Sequence, residues 1–241
     1  MKPLFLALQF LTRLPVPAQP APEARDWGRA VLFFPFAGLL LGALLAGIQF
    51  LLGGTAPLLQ GALLTAAWVA LTGGLHLDGL ADCADAWVGG HGDRQKTLAI
   101  MKDPASGPMG VAAVVVALLL KFAALTSLVA SGALCALLLA PLLGRGLLPA
   151  LLLAAPYARP GGLGEAMAQA LPRQAAAVLV LAVAAAALAL GEWRAVLAGG
   201  AVFVLLRRAA LARLGGVTGD VLGAAVELGE MAVLVALAVR P

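Results

Sequence analysis

Carboxylates are scarce in this chain and fall mainly in two short segments. The 241 residues contain only 12 Asp and Glu. The first segment, HLDGLADCADAW, carries Asp78, Asp82 and Asp85 at spacing i, i+4, i+7. At about 100° per residue these side chains lie within about 60° of one another, so one helical face would present three carboxylates. Because like charges raise one another's proton affinity unless a cation neutralises them, this face predicts a site for a hard divalent ion such as Mg²⁺.

The second acidic segment, GGVTGDVLGAAVELGE, covers residues 215–230. Asp220 and Glu227 are separated by seven residues and so share a helical face. An acid inside a membrane helix needs a partner, a proton or a cavity. Thr218 and Gly219 stand where a helix should begin, and free backbone amides at a helix N-terminus can hold a phosphate. The segment therefore predicts part of a phosphate-handling site, with a structural polar network as the alternative.

A third segment, MKDPASGPMG at residues 101–110, lies between the other two. Lys102 could neutralise an anionic phosphate, Asp103 could add an oxygen ligand, and Ser106 begins an exposed turn. The alternative is an ordinary loop before a helix. His76 stands two residues before Asp78 and is either a substrate contact or an interfacial histidine.

The composition indicates the elements that must position these residues. The chain is 62% hydrophobic and 12% charged, with a mean hydropathy of +1.01, whereas soluble domains are about a quarter charged. Crossing the hydrocarbon core takes about 20 apolar residues. We therefore predict an all-α, polytopic membrane bundle of about seven transmembrane helices (six to eight), forming one integral membrane domain over residues 1–241. The predicted spans are 31–52, 56–77, 108–130, 133–156, 174–190, 194–214 and 221–239.

The basic residues predict how the bundle is oriented, because Lys and Arg near spans favour the cytoplasmic side. Twelve fall on one side of this arrangement and two on the other. The twelve are Lys2, Arg13, Arg25, Arg29, Arg94, Lys96, Lys102, Arg159, Arg173, Arg207, Arg208 and Arg213, and the two are Arg194 and Arg240. The N-terminus is thus expected in the cytoplasm. Both acidic segments then reach the cytoplasmic face, where residues 76–107 and 215–230 would build one site.

Two basic residues, Lys121 and Arg145, fall inside predicted spans. A charge at that depth indicates either a function or a buried partner on another helix. The net charge of +4 does not imply nucleic acid, because the distribution of basic residues around the spans accounts for it. Taken together, these residues predict a membrane enzyme that uses a divalent metal to handle a phosphorylated substrate.

Five segments resemble the cobalamin synthase family, the adenosylcobinamide-GDP ribazoletransferases. They are LTGGLHLDGLADCADA (71–86), MKDPASGPMG (101–110), GVTGDVLGAAVELGE (216–230), FLTRLPVP (10–17) and FPFAGLLLG (34–42). The resemblance runs nearly end to end. It implies Mg²⁺-dependent transfer of the cobinamide phosphoryl group from adenosylcobinamide-GDP to α-ribazole or its 5′-phosphate, with release of GMP, at the cell inner membrane.

The resemblance also implies roles for individual residues. Metal would be held by Asp78, Asp82, Asp85 and Asp220. Catalytic roles would fall to Asp82, Lys102 and Asp103, with Asp82 as base for the attacking hydroxyl. Substrate would be bound by His76, Ser106, Thr218, Gly219 and Glu227. The partners would be these two substrates and the lipid bilayer, without nucleic acid, and a homo-oligomer is compatible with the sequence.

Two other functions are alternatives to this one. CDP-alcohol phosphatidyltransferases also bind metal through an Asp-Gly-x-x-Ala motif, but their alanine precedes Arg, whereas Ala81 precedes Asp82. A membrane transporter would explain intramembrane acids without chemistry. Transporters of that kind carry inverted repeats and mid-membrane sites, and the sequence has no internal repeat and places its acids near one face.

Overall fold

The computed structural model describes residues 1–239, so the predicted position of Arg240 lies outside the described residues. Within this range the chain forms helices and no extended strand. The helices are α1 (Lys2–Leu11), α2 (Ala24–Ala30), α3 (Phe34–Leu51), α4 (Pro57–Thr72), α5 (Leu75–Gly89), α6 (Arg94–Ile100), α7 (Pro108–Ala130), α8 (Cys135–Ala154), α9 (Leu163–Gln169), α10 (Arg173–Ala189), α11 (Trp193–Leu214) and α12 (Gly219–Ala238). A short 3₁₀ turn, Val31–Phe33, joins α2 to α3.

Five helical segments are long and apolar enough to cross a membrane, and the number rises to seven if two bent helix pairs each count as one span. The five are Ala24–Leu51, Pro108–Ala130, Cys135–Ala154, Trp193–Leu214 and Gly219–Ala238. The bent pairs are α4 with α5 and α9 with α10. These findings confirm the predicted all-α, multi-span fold.

The bend between α4 and α5 is a feature that the hydropathy pattern did not predict. The two helices meet at 90°, and the predicted span over 56–77 ends instead at Thr72. Gly73 and Gly74 both adopt left-handed backbone angles, with φ of +66° and +72°. Side chains with a Cβ rarely occupy this region, so the glycine pair ends α4 and lets α5 start in a new direction.

Small residues allow α3 to pack closely against α8. Gly38 and Gly42 stand one turn apart on α3, and a Cβ at either position would overlap the backbone of α8 at Pro141 or Leu137. Spacing of this kind lets membrane helices approach and gain van der Waals contact. The α8 helix is consequently buried along most of its length, and it forms the centre of the bundle.

A second close contact joins α5 to α12. A Cβ on Gly79 would lie 2.8 Å from the carbonyl oxygen of Asp220, and one on Gly223 would lie 3.4 Å from the Cα of Gly79. The hydroxyl of Thr218 accepts a hydrogen bond from the amide of Val221 (3.3 Å) and caps α12. The glycines thus place the start of α12 directly against the acidic helix.

The bundle interior contains a four-residue ion-pair network. Lys121 Nζ on α7 lies 2.6 Å from Glu227 Oε1 and 2.7 Å from Glu230 Oε2, both on α12. Arg145 on α8 is fully buried and pairs with the other oxygen of Glu230. Two cations, from α7 and α8, therefore pair with two carboxylates of α12. Of the two explanations for Lys121 and Arg145, the buried partner is the one that the structure shows.

Candidate active site

The three aspartates of the first segment all lie on α5, as the spacing predicted. Asp78 is exposed, and Asp82 and Asp85 are half-buried. The opposite side of the helix is buried through His76, Leu80 and Cys83. The packing of this apolar side fixes which face of α5 points outward. The aspartates therefore line the accessible face of a helix that is anchored from behind.

Asp220 joins this face from the first turn of α12. Its carboxylate accepts a hydrogen bond from Arg159 Nη2 at 2.9 Å, and the Thr218 hydroxyl lies 3.4 Å from the same oxygen. The segment after α8 is held against the start of α12, since the amide of Ala158 donates to Val217 O at 2.8 Å. The two acidic segments of the sequence thus meet, together with an arginine from a third segment.

The electrostatics around Asp82 favour a cation. Burial, followed by the negative charges of Asp78, Asp220 and Asp85, raises the pKa of its carboxyl from 3.8 to about 6, against the opposing charge of Arg159. A carboxylate that resists ionisation among other carboxylates gains most from a bound positive charge. Burial also raises the pKa of the neighbouring Tyr157 phenol, so that side chain remains a neutral donor.

Asp85 holds the loop before α7 against α5. Its two carboxylate oxygens accept hydrogen bonds from the amides of Gly107 (2.6 Å), Met109 (3.1 Å) and Gly110 (2.9 Å). A Cβ on Gly107 would lie 2.5 Å from this carboxylate, so glycine is needed for the approach. An acid at a helix N-terminus satisfies free amides and complements the helix dipole.

We expect Asp85→Ala to lower the free energy of unfolding by about 1–3 kcal/mol, because partly buried amides lose a charged acceptor. The measurement is thermal unfolding in detergent, with hydrogen exchange at residues 107–110 as the local readout. Asp93→Ala is the matched control, since Asp93 also caps a helix, α6, through Lys96 N at 2.6 Å. Unchanged exchange at 107–110 in Asp85→Ala would contradict this anchoring role.

The 101–110 segment meets the acidic face, which is formed by the three aspartates of α5 and Asp220, where Gly107 contacts Asp85. Lys102, Asp103 and Ser106 are exposed, and Asp103 Oδ1 accepts from the amide of Ala105 at 3.0 Å. Met101 is buried, and its sulfur lies 3.9 Å from the Thr218 hydroxyl. This contact ties the segment to the start of α12.

Two openings adjoin the acidic face, and Asp78 lines both. One is a mainly apolar cavity of about 260 Å³ that also reaches His76, Tyr157 and Asp220. The other is a more polar cleft of about 460 Å³ whose lining includes Arg13 and Ser106. The arrangement can receive two chemically different groups on either side of one carboxylate.

The carboxylates of the acidic face can hold Mg²⁺ only together with water and substrate phosphate. Among residues 1–239, no three or more His, Cys, Asp or Glu side chains are grouped closely enough to hold a metal alone. Asp85 is occupied by backbone amides and Asp220 by Arg159. Mg²⁺ usually binds one or two carboxylates and completes its shell with water and substrate phosphate. Asp78 and Asp82 fit that pattern.

Glu227 has a different place from the one that the sequence predicted. Its carboxylate is buried and paired with Lys121 inside the bundle. A carboxylate fully engaged by a buried cation is poorly suited to contact a substrate. The placement favours the structural polar network for Glu227, while Asp220 stays with the acidic face.

The chain matches the cobalamin-5-phosphate synthase family over residues 3–238. An adenosylcobinamide-GDP ribazoletransferase of Stutzerimonas stutzeri is 55% identical over 242 residues, covering 100% of this chain and 99% of the relative. Proteins of the same name from Pseudomonas aeruginosa and Pseudomonas putida are 55% and 54% identical, each covering 99% of this chain and 98% and 99% of the relatives. This chain belongs to the cobalamin-5-phosphate synthase family. No solved structure matches it.

Membership of the cobalamin-5-phosphate synthase family confirms the resemblance drawn from the five segments. Two residues near the acidic face were not singled out as site residues from the sequence. In the sequence, Arg159 bears only on the orientation of the bundle, and Arg13 bears on that orientation and lies within the family segment FLTRLPVP. Their position in the sequence could have indicated them, because Arg13 precedes the first predicted span and Arg159 follows the fourth. Both therefore lie on the same predicted side of the membrane as the acids. Which basic residues lie next to the acidic face depends on how the helices pack, and the sequence does not give that packing.

Proposed function

We propose that this chain is an adenosylcobinamide-GDP ribazoletransferase that carries out its reaction at the face of α5. A ribose hydroxyl oxygen of α-ribazole, or of its 5′-phosphate, forms a bond to the phosphorus attached to cobinamide. The bond from that phosphorus to the GMP oxygen breaks, and GMP leaves. The observation that carries the proposal is the meeting of two distant acidic segments beside two openings, in a chain of this family.

Each part of the acidic face has a role in this proposal. Asp82 accepts the proton of the attacking hydroxyl, because its carboxylate lies on the accessible face of α5. Arg13 and Ser106, in the polar cleft, bind the phosphate groups, and the exposed Lys102, four residues before Ser106, adds a positive charge to the same segment. Thr218 and Gly219 stand at the capped start of α12, where Gly219 lines the apolar cavity and contributes a substrate contact.

The cofactor in this proposal is Mg²⁺, which would be held by Asp78 and Asp82. When bound, the ion neutralises charge on the phosphoryl group during transfer. The roles of Asp85 and Asp220 then differ from simple ligation, since Asp85 fixes the loop before α7 and Asp220 orients Arg159. Asp103 is exposed beside Lys102 and remains a predicted contributor to the phosphate end of the site.

In this proposal a single membrane domain lies in the cell inner membrane, with the acidic face toward the cytoplasm. The bias of twelve basic residues against two supports this orientation. The alternative activities lose their basis, since the chain belongs to a family other than the CDP-alcohol phosphatidyltransferases and transporters.

The test is turnover by purified protein in lipid nanodiscs. Adenosylcobinamide-GDP and α-ribazole are supplied with Mg²⁺ or with a chelator, and GMP and the cobalamin product are quantified by chromatography. We expect both products in equal amounts and only when Mg²⁺ is present. Folded protein that yields neither product with either form of ribazole would overturn the proposal.

A further inference from the structure

The apolar cavity beside Asp78 is a recess within the helix bundle. Its walls come from α1, α3, α5, α8, α9 and α12, and they include Phe34, Leu152, Met167 and Leu222. An apolar cavity of about 150 Å³ is large enough to hold benzene. At about 260 Å³, this cavity can take a flat two-ring group but not a corrinoid or a nucleoside diphosphate.

One buried polar side chain lines this cavity without a partner. His76 is 3% exposed, and neither Nδ1 nor Nε2 has a hydrogen-bond partner among the described residues. Leaving such a group unsatisfied costs about 1–3 kcal/mol, so unpaired buried polar groups are uncommon in folded proteins. Both nitrogens are covered by protein, so a ligand in the cavity that supplies an acceptor would remove this cost once the imidazole turns a ring nitrogen toward it.

The chemistry of the two substrates distinguishes between the two openings. Ribazole joins an apolar dimethylbenzimidazole base to a ribose, and the base keeps one ring nitrogen as an acceptor. Adenosylcobinamide-GDP presents its charged diphosphate to the site. An apolar recess with one unpaired histidine fits the base, whereas the polar cleft with Arg13 and Ser106 fits the diphosphate.

We propose that the cavity walled by Phe34, Leu152, Met167 and Leu222 binds the benzimidazole base of ribazole, with His76 donating a hydrogen bond to its free ring nitrogen. The ribose then lies at Asp78, between the base in the cavity and the diphosphate in the polar cleft. This inference rests on the proposed function and adds which opening takes which substrate. It also makes His76 the residue that distinguishes a base with an acceptor ring nitrogen from one without it.

The test uses free bases as probes, so that it does not depend on turnover. Binding of 5,6-dimethylbenzimidazole and of 5,6-dimethylindole to the full-length protein is measured by isothermal titration calorimetry in nanodiscs. The indole keeps the shape and the N–H but lacks the acceptor nitrogen. We expect the benzimidazole to bind about tenfold more tightly than the indole, since one buried hydrogen bond is at stake.

Two cavity-filling variants locate the binding. Leu163 is half-buried at the start of α9 and lines the proposed cavity, so Leu163→Trp should reduce binding of both bases at least tenfold. Ala184→Phe is the control, because it fills a separate apolar cavity of about 220 Å³ between α8, α10 and α11. Binding that survives in Leu163→Trp, or is lost equally in Ala184→Phe, overturns the proposal.

Two further variants test the histidine. His76→Leu should bind the two bases with nearly equal affinity, while His76→Gln keeps an N–H donor and should keep part of the preference. If both variants retain the full tenfold preference, the hydrogen bond to His76 is refuted. Turnover separates the two proposals. Product formation with an unchanged KM for ribazole in Leu163→Trp would refute the cavity assignment alone, and base binding without any product in the native protein would refute the proposed function alone.

Discussion

Asp82→Asn is expected to lower the rate of product formation by about 10²–10³-fold while the protein remains folded. The substitution keeps the shape of the side chain but removes its negative charge and its ability to accept a proton. Both properties are needed if Asp82 acts as base and helps to hold Mg²⁺. The measurement is kcat at saturating substrates over a range of Mg²⁺ concentrations.

The same substitution should leave stability unchanged or improve it in the absence of Mg²⁺. Because the folded-state pKa of Asp82 is raised from 3.8 to about 6, the folded protein binds more protons than the unfolded chain between these pH values. The contribution of this carboxyl to stability therefore falls as pH rises from about 4 to 6 and stays unfavourable at pH 7. Asp82→Asn should remove the penalty, which is below about 1 kcal/mol because the site is partly open to screening water.

Glu192→Gln is the matched control for Asp82→Asn. Glu192 precedes α11, and its carboxylate lies 3.6 Å from the Cys135 sulfur, away from α5. Its charge loss should leave kcat unchanged. A kcat for Asp82→Asn within a few-fold of the native value would show that another group accepts the proton. A drop in kcat accompanied by a lower unfolding temperature would point to a structural role instead.

Glu230→Gln is expected to lower the free energy of unfolding by about 3–5 kcal/mol. Glu230 is fully buried and, among residues 1–239, is the one carboxylate that pairs with both Lys121 and Arg145. Neutralising it leaves two buried cations facing one remaining acid, and an uncompensated charge in a low-dielectric interior is strongly unfavourable. The measurement is reversible unfolding in mixed micelles, compared with native protein under the same conditions.

A double variant distinguishes the effect of charge balance from the effect of specific hydrogen bonds. Lys121→Met combined with Glu227→Gln removes one cation and one carboxylate, and it keeps the Arg145–Glu230 pair intact. We expect it to be clearly more stable than Glu230→Gln, because replacing a complete buried pair is often nearly neutral. If the double variant is as unstable as Glu230→Gln, the network stabilises the fold through its specific hydrogen bonds rather than through neutrality.

The sequence alone determined the class of fold and the helical face that carries three aspartates. Inside the membrane there is no water to bind the backbone N–H and C=O groups of long apolar segments. These segments therefore form helices, which satisfy their own backbone hydrogen bonds. The spacing of Asp78, Asp82 and Asp85 then fixes a common helical face, and α5 contains all three. The five family segments identified the family, which the match over residues 3–238 confirms.

Only the tertiary structure decided which acids remain available. Asp85 and Asp82 look alike in the sequence, yet Asp85 caps α7 while Asp82 stays on the open face. Likewise Asp220 meets Arg159, whereas Glu227, two turns further along the same helix, enters the ion-pair network. These outcomes depend on the 90° bend after Thr72 and on close helix contacts at Gly79 and Gly223. Such contacts join residues more than 100 positions apart, and helical periodicity describes only the face within one helix.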